Sequence, residues 1–224
     1  DVIKASATVT YHAEKWALRD ADGQVHSDVG EIHTANLPWS ARVEDCGPGD
    51  ARRHPPIRAD ARKGDRGRLL IVGGGPYHGA PILAGLAAER SGCDLIHLAM
   101  PSDAVERAEW PLSLIPESIP DSTHLTTHSV DSILNRVLTG RGCQAVLIGP
   151  GLGREDASIS AVCELIEKFV EANIPLIIDA DAIRALPSHA WPIGMVGVVT
   201  PHADEMAHWL GASDPAEILQ IRAR

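Results

Sequence analysis

The chain has 224 residues, 44% of them hydrophobic and 22% charged, with a formal net charge of −10. That is the composition of a soluble globular chain, enough for one full domain plus an appendage. The acidic balance argues against a nucleic-acid surface and an anionic membrane, and no apolar run is long enough to span one or reads as a signal peptide.

In chain order, residues 1–43 do not read as a complete domain. Ala7-Thr8-Val9-Thr10-Tyr11 is strand-like, Ala21-Asp22-Gly23-Gln24 is a turn, and Asn36-Leu37-Pro38-Trp39 ends what precedes it. Residues 44–62 read as a linker, because Gly47-Pro48-Gly49-Asp50 and His54-Pro55-Pro56 favour extended, solvated backbone. From Lys63 onward strands and helices alternate: strand 68–72, helix 80–90, strand 94–100 and a short helix from Pro101-Ser102-Asp103. Residues 109–128 carry three prolines, and a short strand is expected around Leu112–Ile115. Helix 130–139 follows, with Ser129 as its cap and Gly140 as its stop. Then come strand 144–148, helix 156–172, strand 175–178, strand 195–199 and helix 203–210. The last residues, from Ser213 as an N-cap to Arg224, read as a helix still in progress, and both ends look cut from something longer.

The chain is organised around residues 69–81. Leu69-Leu70-Ile71-Val72 suits a strand buried on both faces of a parallel sheet, and it runs into Gly73-Gly74-Gly75. Glycine there lets backbone N–H groups approach a ligand, and Pro81 suits the first turn of the helix that follows. The spacing to Gly79 is one residue too long for a dinucleotide fingerprint, so the loop alone is also consistent with a tight turn and no ligand.

More telling is a convergence of strand ends. Four apparent strands end in Gly73-Gly74-Gly75, Gly149-Pro150-Gly151-Leu152-Gly153, Asp179-Ala180-Asp181 and Thr200-Pro201-His202. In a parallel sheet these lie along the edge where α/β proteins bind ligands. Asp179, directly after Leu176-Ile177-Ile178, needs a partner, whereas Asp181 reads first as a cap for a helix starting at Ala182. His202 and Glu205 stand one helical turn apart and can face one site, or Glu205 can simply complement the helix dipole. Cys46, Cys93, Cys143 and Cys163 lack paired spacing and read as reduced thiols. His124 and His128 could share a helix face as metal ligands, but no carboxylate or cysteine near them in sequence supports a metal site.

Lys63-Gly64-x-x-Gly67, Gly73-Gly74-Gly75-x-Tyr77-x-Gly79-Ala80-Pro81, Gly149-Pro150-Gly151-Leu152-Gly153, Asp179-Ala180-Asp181-Ala182 and Thr200-Pro201-His202-x-x-Glu205-Met206 come in an order that resembles the ATP/ADP-dependent NAD(P)H-hydrate dehydratases. The resemblance covers 63–224 and implies a ribokinase-like α/β fold, a three-layer αβα architecture with a mostly parallel central sheet, truncated at its C-terminus. Residues 1–43, through Ala7–Tyr11 and Lys15, resemble the tail of an NAD(P)H-hydrate epimerase domain, so the whole resembles a piece of a bifunctional nicotinamide-nucleotide repair enzyme. The implied reaction is phosphorylation of the hydrate hydroxyl by ATP or ADP with Mg²⁺, followed by loss of phosphate. By motif match the substrate contacts are Gly74, Gly75, Tyr77, Ala80, Gly151, Gly153, Asp179 and His202. Glu205 falls where ribokinase-like enzymes hold water on the metal. The catalytic Asp of the family's Gly-Thr-Gly-Asp motif is expected beyond Arg224, so no catalytic residue is assigned within the chain and residues 1–224 alone are expected to be inactive. The resemblance also implies a cytoplasmic enzyme, a homo-oligomer at full length, whose partner is its small-molecule substrate rather than nucleic acid or membrane.

Two departures stand out: Ala203-Asp204 replaces the usual Pro-Gly, and Gly75 replaces a common Ser. A sugar or vitamin kinase of the same fold would share the sheet but not the Gly-Ala-Pro loop with Thr-Pro-His. An NAD-dependent dehydrogenase could use Asp103 as its ribose-binding acid, but its loop spacing is absent. A ligand-binding scaffold without turnover is the third reading.

Overall fold

The structure is a computed structural model that describes residues 4–11, 18, 24–35, 58–140 and 142–212. Two compact units divide the chain, Asp1–Pro56 and Ile57–Arg224. In the first, β1 (Ala7–Tyr11) pairs in parallel with β2 (Glu31–Ala35), from Ala7 opposite Glu31 to Tyr11 opposite Ala35. Lys15, Cys46, the 36–39 break, most of the 44–62 linker and the terminal helix from Ser213 lie outside the described residues.

The second unit is a six-stranded sheet with every pairing parallel. Its elements are β3 (Arg68–Val72), α1 (Gly79–Arg90), β4 (Leu95–Met100), α2 (Ser102–Arg107), β5 (Leu114–Ser118), α3 (Val130–Leu138), β6 (Ala145–Ile148), α4 (Asp156–Glu171), β7 (Leu176–Ile178), β8 (Gly197–Val199) and α5 (Ala203–Trp209). The spatial order is β5-β4-β3-β6-β7-β8. The chain therefore runs outward from β3 to β5, returns to lay β6 against the other side of β3, and continues to β8. That reversal places the topological switch point between β3 and β6, at the two glycine loops.

Strand alternation splits the core into two layers. Ile71, Ile96, Leu98 and Met100 face α1 and pack with Ile82, Leu86 and Ala88. Leu70, Val72, Val146 and Ile148 face α3 and α4 and pack with Ile133, Val137, Val162, Leu165 and the fully buried Phe169. The result is the three-layer αβα arrangement expected, with both sheet faces covered as a parallel sheet requires.

The structure corrects several local expectations. The short strand of the Pro-rich stretch runs from Leu114 to Ser118 and contains Pro116. It is an edge strand, and Ile119 N donates to Met100 O at 3.0 Å. Alternation from that bond points the even-numbered donors outward, so the N–H that Pro116 lacks would have faced the open edge. Ser129 does not cap α3 with its side chain. A 3-10 turn over Thr127–Ser129 precedes the helix, and Thr126 caps that turn by accepting from His128 N at 3.2 Å. Ser129 instead donates to Asp121, whose carboxylate also accepts from Thr126 N and Thr126 Oγ1 at 2.8 and 2.7 Å. Asp181 does not cap a helix starting at Ala182: the segment is a 3-10 turn over Ala180–Ala185, and Asp179 occupies the position before it.

A half-buried polar cluster stands on the α3 side of the sheet. His97 Nδ1 lies 2.6 Å from Glu117 Oε1, and Arg136 Nε donates to both Glu117 oxygens at 2.7 and 2.9 Å. With the proton on Nδ1, His97 donates to Glu117 and Nε2 accepts from Arg136 Nη2 at 2.8 Å. Burial opposes the charge on Glu117, but the bonds from His97 and Arg136 outweigh it and hold the carboxyl below its ordinary value. Asp121 is held low in the same way, burial being overcome by Ser129 and Thr126. A carboxyl depressed in the folded state adds stability above its unfolded pKa and loses it as pH falls through the folded value. Stability should therefore drop below the ordinary carboxylate range, by on the order of 1 kcal/mol from these two groups together once solvent screening is allowed for. Urea melts from neutral to acid pH check this, and in Glu117→Gln the acid-dependent part should shrink.

Candidate active site

All the unusual strand ends lie along the C-terminal edge of the sheet, and backbone contacts hold the central ones in place. Gly74 N donates to Pro150 O at 2.9 Å, and Gly149 N donates to Val72 O at 3.1 Å. Gly149 has φ +131°, and a Cβ there would stand 1.7 Å from Asp179 O. Gly151 has φ +72°, and its Cβ would stand 2.0 Å from Tyr77 O. At these two positions glycine is demanded by the neighbouring loop rather than by a ligand. The three loops after β3, β6 and β7 are thereby locked together before any ligand is considered.

Among the expected substrate contacts, Gly74, Gly75, Gly151 and Gly153 are buried in this interlocked centre. Tyr77 is 66% exposed, and Ala80 is exposed at the start of α1. Asp179 finds the partner its position required, since Thr200 Oγ1 donates to Asp179 Oδ1 at 2.7 Å. That bond ties the ends of β7 and β8. Between the two acids, Ala180 is held at φ +51°, a left-handed conformation that costs a non-glycine residue about 1–2 kcal/mol. Strain of this kind clusters at functional loops, and nothing in the residue type announced it.

His202 and Glu205 form a capping box on α5. His202 Nδ1 accepts from Asp204 N and Glu205 N at 3.1 and 3.3 Å, and Glu205 Oε2 accepts from His202 N at 2.9 Å. An accepting Nδ1 puts the ring proton on Nε2, which lies 3.1 Å from Glu205 Oε1. The two side chains meet across the first turn, and the contact also serves the helix. Asp181 ion-pairs with Arg154 at 3.0 Å. Arg154, Asp181, His202, Glu205 and His208 line a small cavity of about 50 Å³.

A second, larger cleft of about 680 Å³ opens on the other side of the glycine loops. Gly75, Asp103, Arg107, Thr123, His124 and Glu155 are among the residues that line it, and His202 is not. Neither Arg107 nor Thr123 carried a signal in the sequence: Thr123 belongs to the stretch where prolines obscured the periodicity, and Arg107 is the last residue of the short helix α2. His124 and His128 do not share a helix, since only His128 lies in the 3-10 turn. No group of three or more His, Cys, Asp or Glu converges on a metal position among the described residues. Cys93, Cys143 and Cys163 are free thiols, and burial, the dominant influence on each, raises their pKa values.

The comparisons with known proteins agree with this fold. Residues 69–222 match the family model described as Carb_kinase, NAD(P)H-hydrate dehydratase. The bifunctional NAD(P)H-hydrate repair enzyme of Hyperthermus butylicus is 36% identical over 99% of this chain, which covers 41% of that relative. The ADP-dependent (S)-NAD(P)H-hydrate dehydratase of Cenarchaeum symbiosum is 36% identical over 77% of this chain and 59% of its own length. The chain thus spans about two fifths to three fifths of these curated relatives. A crystal structure of the ADP/ATP-dependent NAD(P)H-hydrate dehydratase of Bacillus subtilis, co-crystallised with ATP and Mg²⁺, superposes with a TM-score of 0.57 at 25% identity, over 75% of this chain and 56% of that one. By the family match and by its glycine and acidic strand ends, the chain belongs to the NAD(P)H-hydrate dehydratase family.

Proposed function

We propose that this protein takes part in the ADP- or ATP-dependent dehydration of NAD(P)H hydrate to NAD(P)H. One observation carries the reading: the family match over 69–222 contains both glycine loops, the acidic loop and Thr200-Pro201-His202, and these elements meet on one sheet edge. In the proposed reaction the hydrate hydroxyl attacks the terminal phosphorus of the nucleotide. Its proton passes to a base and the shorter nucleotide leaves. The C–O bond to the new phosphate then breaks, and the ring nitrogen's lone pair drives out inorganic phosphate. Loss of a ring proton restores the carbon–carbon double bond.

This chain's own residues supply the binding surface. Gly74, Gly75, Tyr77, Ala80, Gly151, Gly153 and Asp179 form its floor and rim, and His202 presents its ring beside it. Mg²⁺ is usually held by one or two carboxylates with water and nucleotide phosphates completing the shell. Glu205 fits that modest demand, because its two oxygens each accept one bond from His202, Oε2 from the main-chain N and Oε1 from Nε2, and each keeps a further lone pair for a metal-bound water. The ion would supply charge neutralisation at the transferring phosphate.

Residues 1–43 are proposed to be the end of an epimerase domain, residues 44–62 its linker and 63–224 the dehydratase part. Relatives whose matches span 99% of the chain carry the name of a bifunctional enzyme. A cytoplasmic, homo-oligomeric enzyme is the accompanying proposal; no described helix is long and apolar enough to cross a membrane.

The test supplies the complete encoded protein with hydrated NADPH, Mg²⁺, and ATP or ADP. Recovery of the reduced-nicotinamide absorbance, with one inorganic phosphate released per NADPH restored, is the expected result. Nucleotide-dependent phosphorylation of a sugar or vitamin, with no recovery from the hydrate, would replace this reading with a kinase.

A further inference from the structure

The proposed substrate contacts use the 680 Å³ cleft at one residue only, Gly75. Its lining holds one guanidinium, Arg107, the last residue of α2. Two main-chain carbonyls hold that group: Arg107 Nε donates to Asp103 O at 3.0 Å, and Nη2 donates to Gly75 O at 2.6 Å. Asp103, Glu106 and Glu155 line the same cleft, yet among the described residues Arg107 makes no ion pair with any of them. Carbonyl partners orient a guanidinium without neutralising it. Among the described residues Nη1 has no protein acceptor, so one edge of the fork is anchored and the other is open. An oriented, open guanidinium edge is suited to bidentate recognition of a phosphate.

The carboxylates shape what else can bind. They are acceptors only, suited to sugar hydroxyls, and they repel any second anion. Position points the same way. The ends of β4, which leads into α2, and of β8, which leads into His202, are four strand spacings apart in the sheet, about 19 Å. A nicotinamide ring cannot bridge that span, and an extended dinucleotide can.

We infer that Arg107 is an anion subsite that binds a phosphate of the dinucleotide, with the carboxylates of the cleft taking hydroxyls of the adjoining ribose; this rests on the NAD(P)H-hydrate reading above. The same guanidinium holds the Gly75 carbonyl, so it also fixes the loop that the substrate rests on.

The experiment measures equilibrium binding of NADH and of nicotinamide riboside to the complete encoded protein as wild type, Arg107→Gln and Arg107→Lys, with inorganic pyrophosphate as competitor. Arg107→Gln should weaken NADH by about 10-fold or more, flatten the salt dependence of its binding and abolish competition by pyrophosphate. The riboside, which carries no phosphate, should lose much less affinity than NADH, only what the freed Gly75 loop costs. Arg107→Lys keeps the charge without the fork and should recover part of the NADH affinity. Equal loss of NADH and riboside affinity in Arg107→Gln would mean that Arg107 only shapes the Gly75 loop, and would overturn the subsite, as would unchanged NADH affinity. Hydrate turnover by the wild type separates the two readings. Turnover with NADH binding independent of Arg107 overturns the subsite alone. No turnover, with NADH binding still dependent on Arg107, overturns the activity alone. Absence of NADH binding to the wild type overturns both.

Discussion

Gly149→Ala should destabilise the 57–224 unit by about 4 kcal/mol or more, a loss at the far end of what single substitutions cause. Two independent penalties meet there. The backbone sits at φ +131°, where an L side chain is strained. The new Cβ would also stand 1.7 Å from Asp179 O, a main-chain atom rather than the end of a flexible side chain. Asp179 cannot easily retreat, because its N–H donates to Ile148 O at 3.0 Å and its carboxylate is tied to Thr200. Relief therefore requires breaking the β6–β7 ladder or displacing the β8 end. Gly79→Ala is the control: nothing lies within 4 Å of the position its Cβ would take. It should be neutral, or stabilising by about 0.5–1 kcal/mol through the unfolded chain. Urea unfolding reads both, with an unchanged m-value showing that the change lies in stability rather than in the compactness of either state. A loss below about 1.5 kcal/mol for Gly149→Ala would show that the acidic loop can move independently of the sheet.

The second large effect separates the structural use of His202 and Glu205 from their use in the reaction. His202→Asn keeps a side-chain acceptor at a position where Asn caps well, so stability should stay within about 0.5 kcal/mol. It removes the ring proposed to touch the hydrate, and kcat/KM should fall about 10-fold or more. Glu205→Gln keeps an acceptor for His202 N, so the capping box survives. It removes the charge proposed to face the metal-bound water, and kcat should fall about 100-fold, with no rescue by more nucleotide. His202→Ala should lose the cap as well, at about 1 kcal/mol. If activity and stability decline together across all three variants, the two residues merely start a helix.

Much of the fold could be read from residues alone. Leu69–Val72, Ala145–Ile148 and Leu176–Ile178 are apolar on both faces because helices cover both faces, and each ends where a glycine or an acid interrupts it. The stretch before α3 resisted because Pro116 masks an edge strand and because the helix is entered through a 3-10 turn capped at Thr126. Of the site, the loops were legible as a set, since four unusual strand ends rarely coincide. Their internal logic was not. Gly149 and Gly151 face backbone from loops distant in sequence, and no local pattern encodes that contact. The Asp181–Arg154 pair was hidden for the same reason, at a separation of 27 residues. Arg107 looked like any exposed arginine near a helix end, and only the fold brings the Gly75 carbonyl to it.

Pro116 has a consequence for how this molecule meets other chains. An exposed outer strand is a template on which a foreign strand can zip, and its row of main-chain donors drives such polymerisation. In β5 that row is interrupted at its middle residue, because the outward donor at position 116 does not exist. A strand docking there would leave one of its own carbonyls unanswered and would meet the pyrrolidine ring at the same point. The β5 border is therefore closed to sheet growth, and Pro116→Val should turn it into a nucleation point for self-association without disturbing the pairing of β5 with β4.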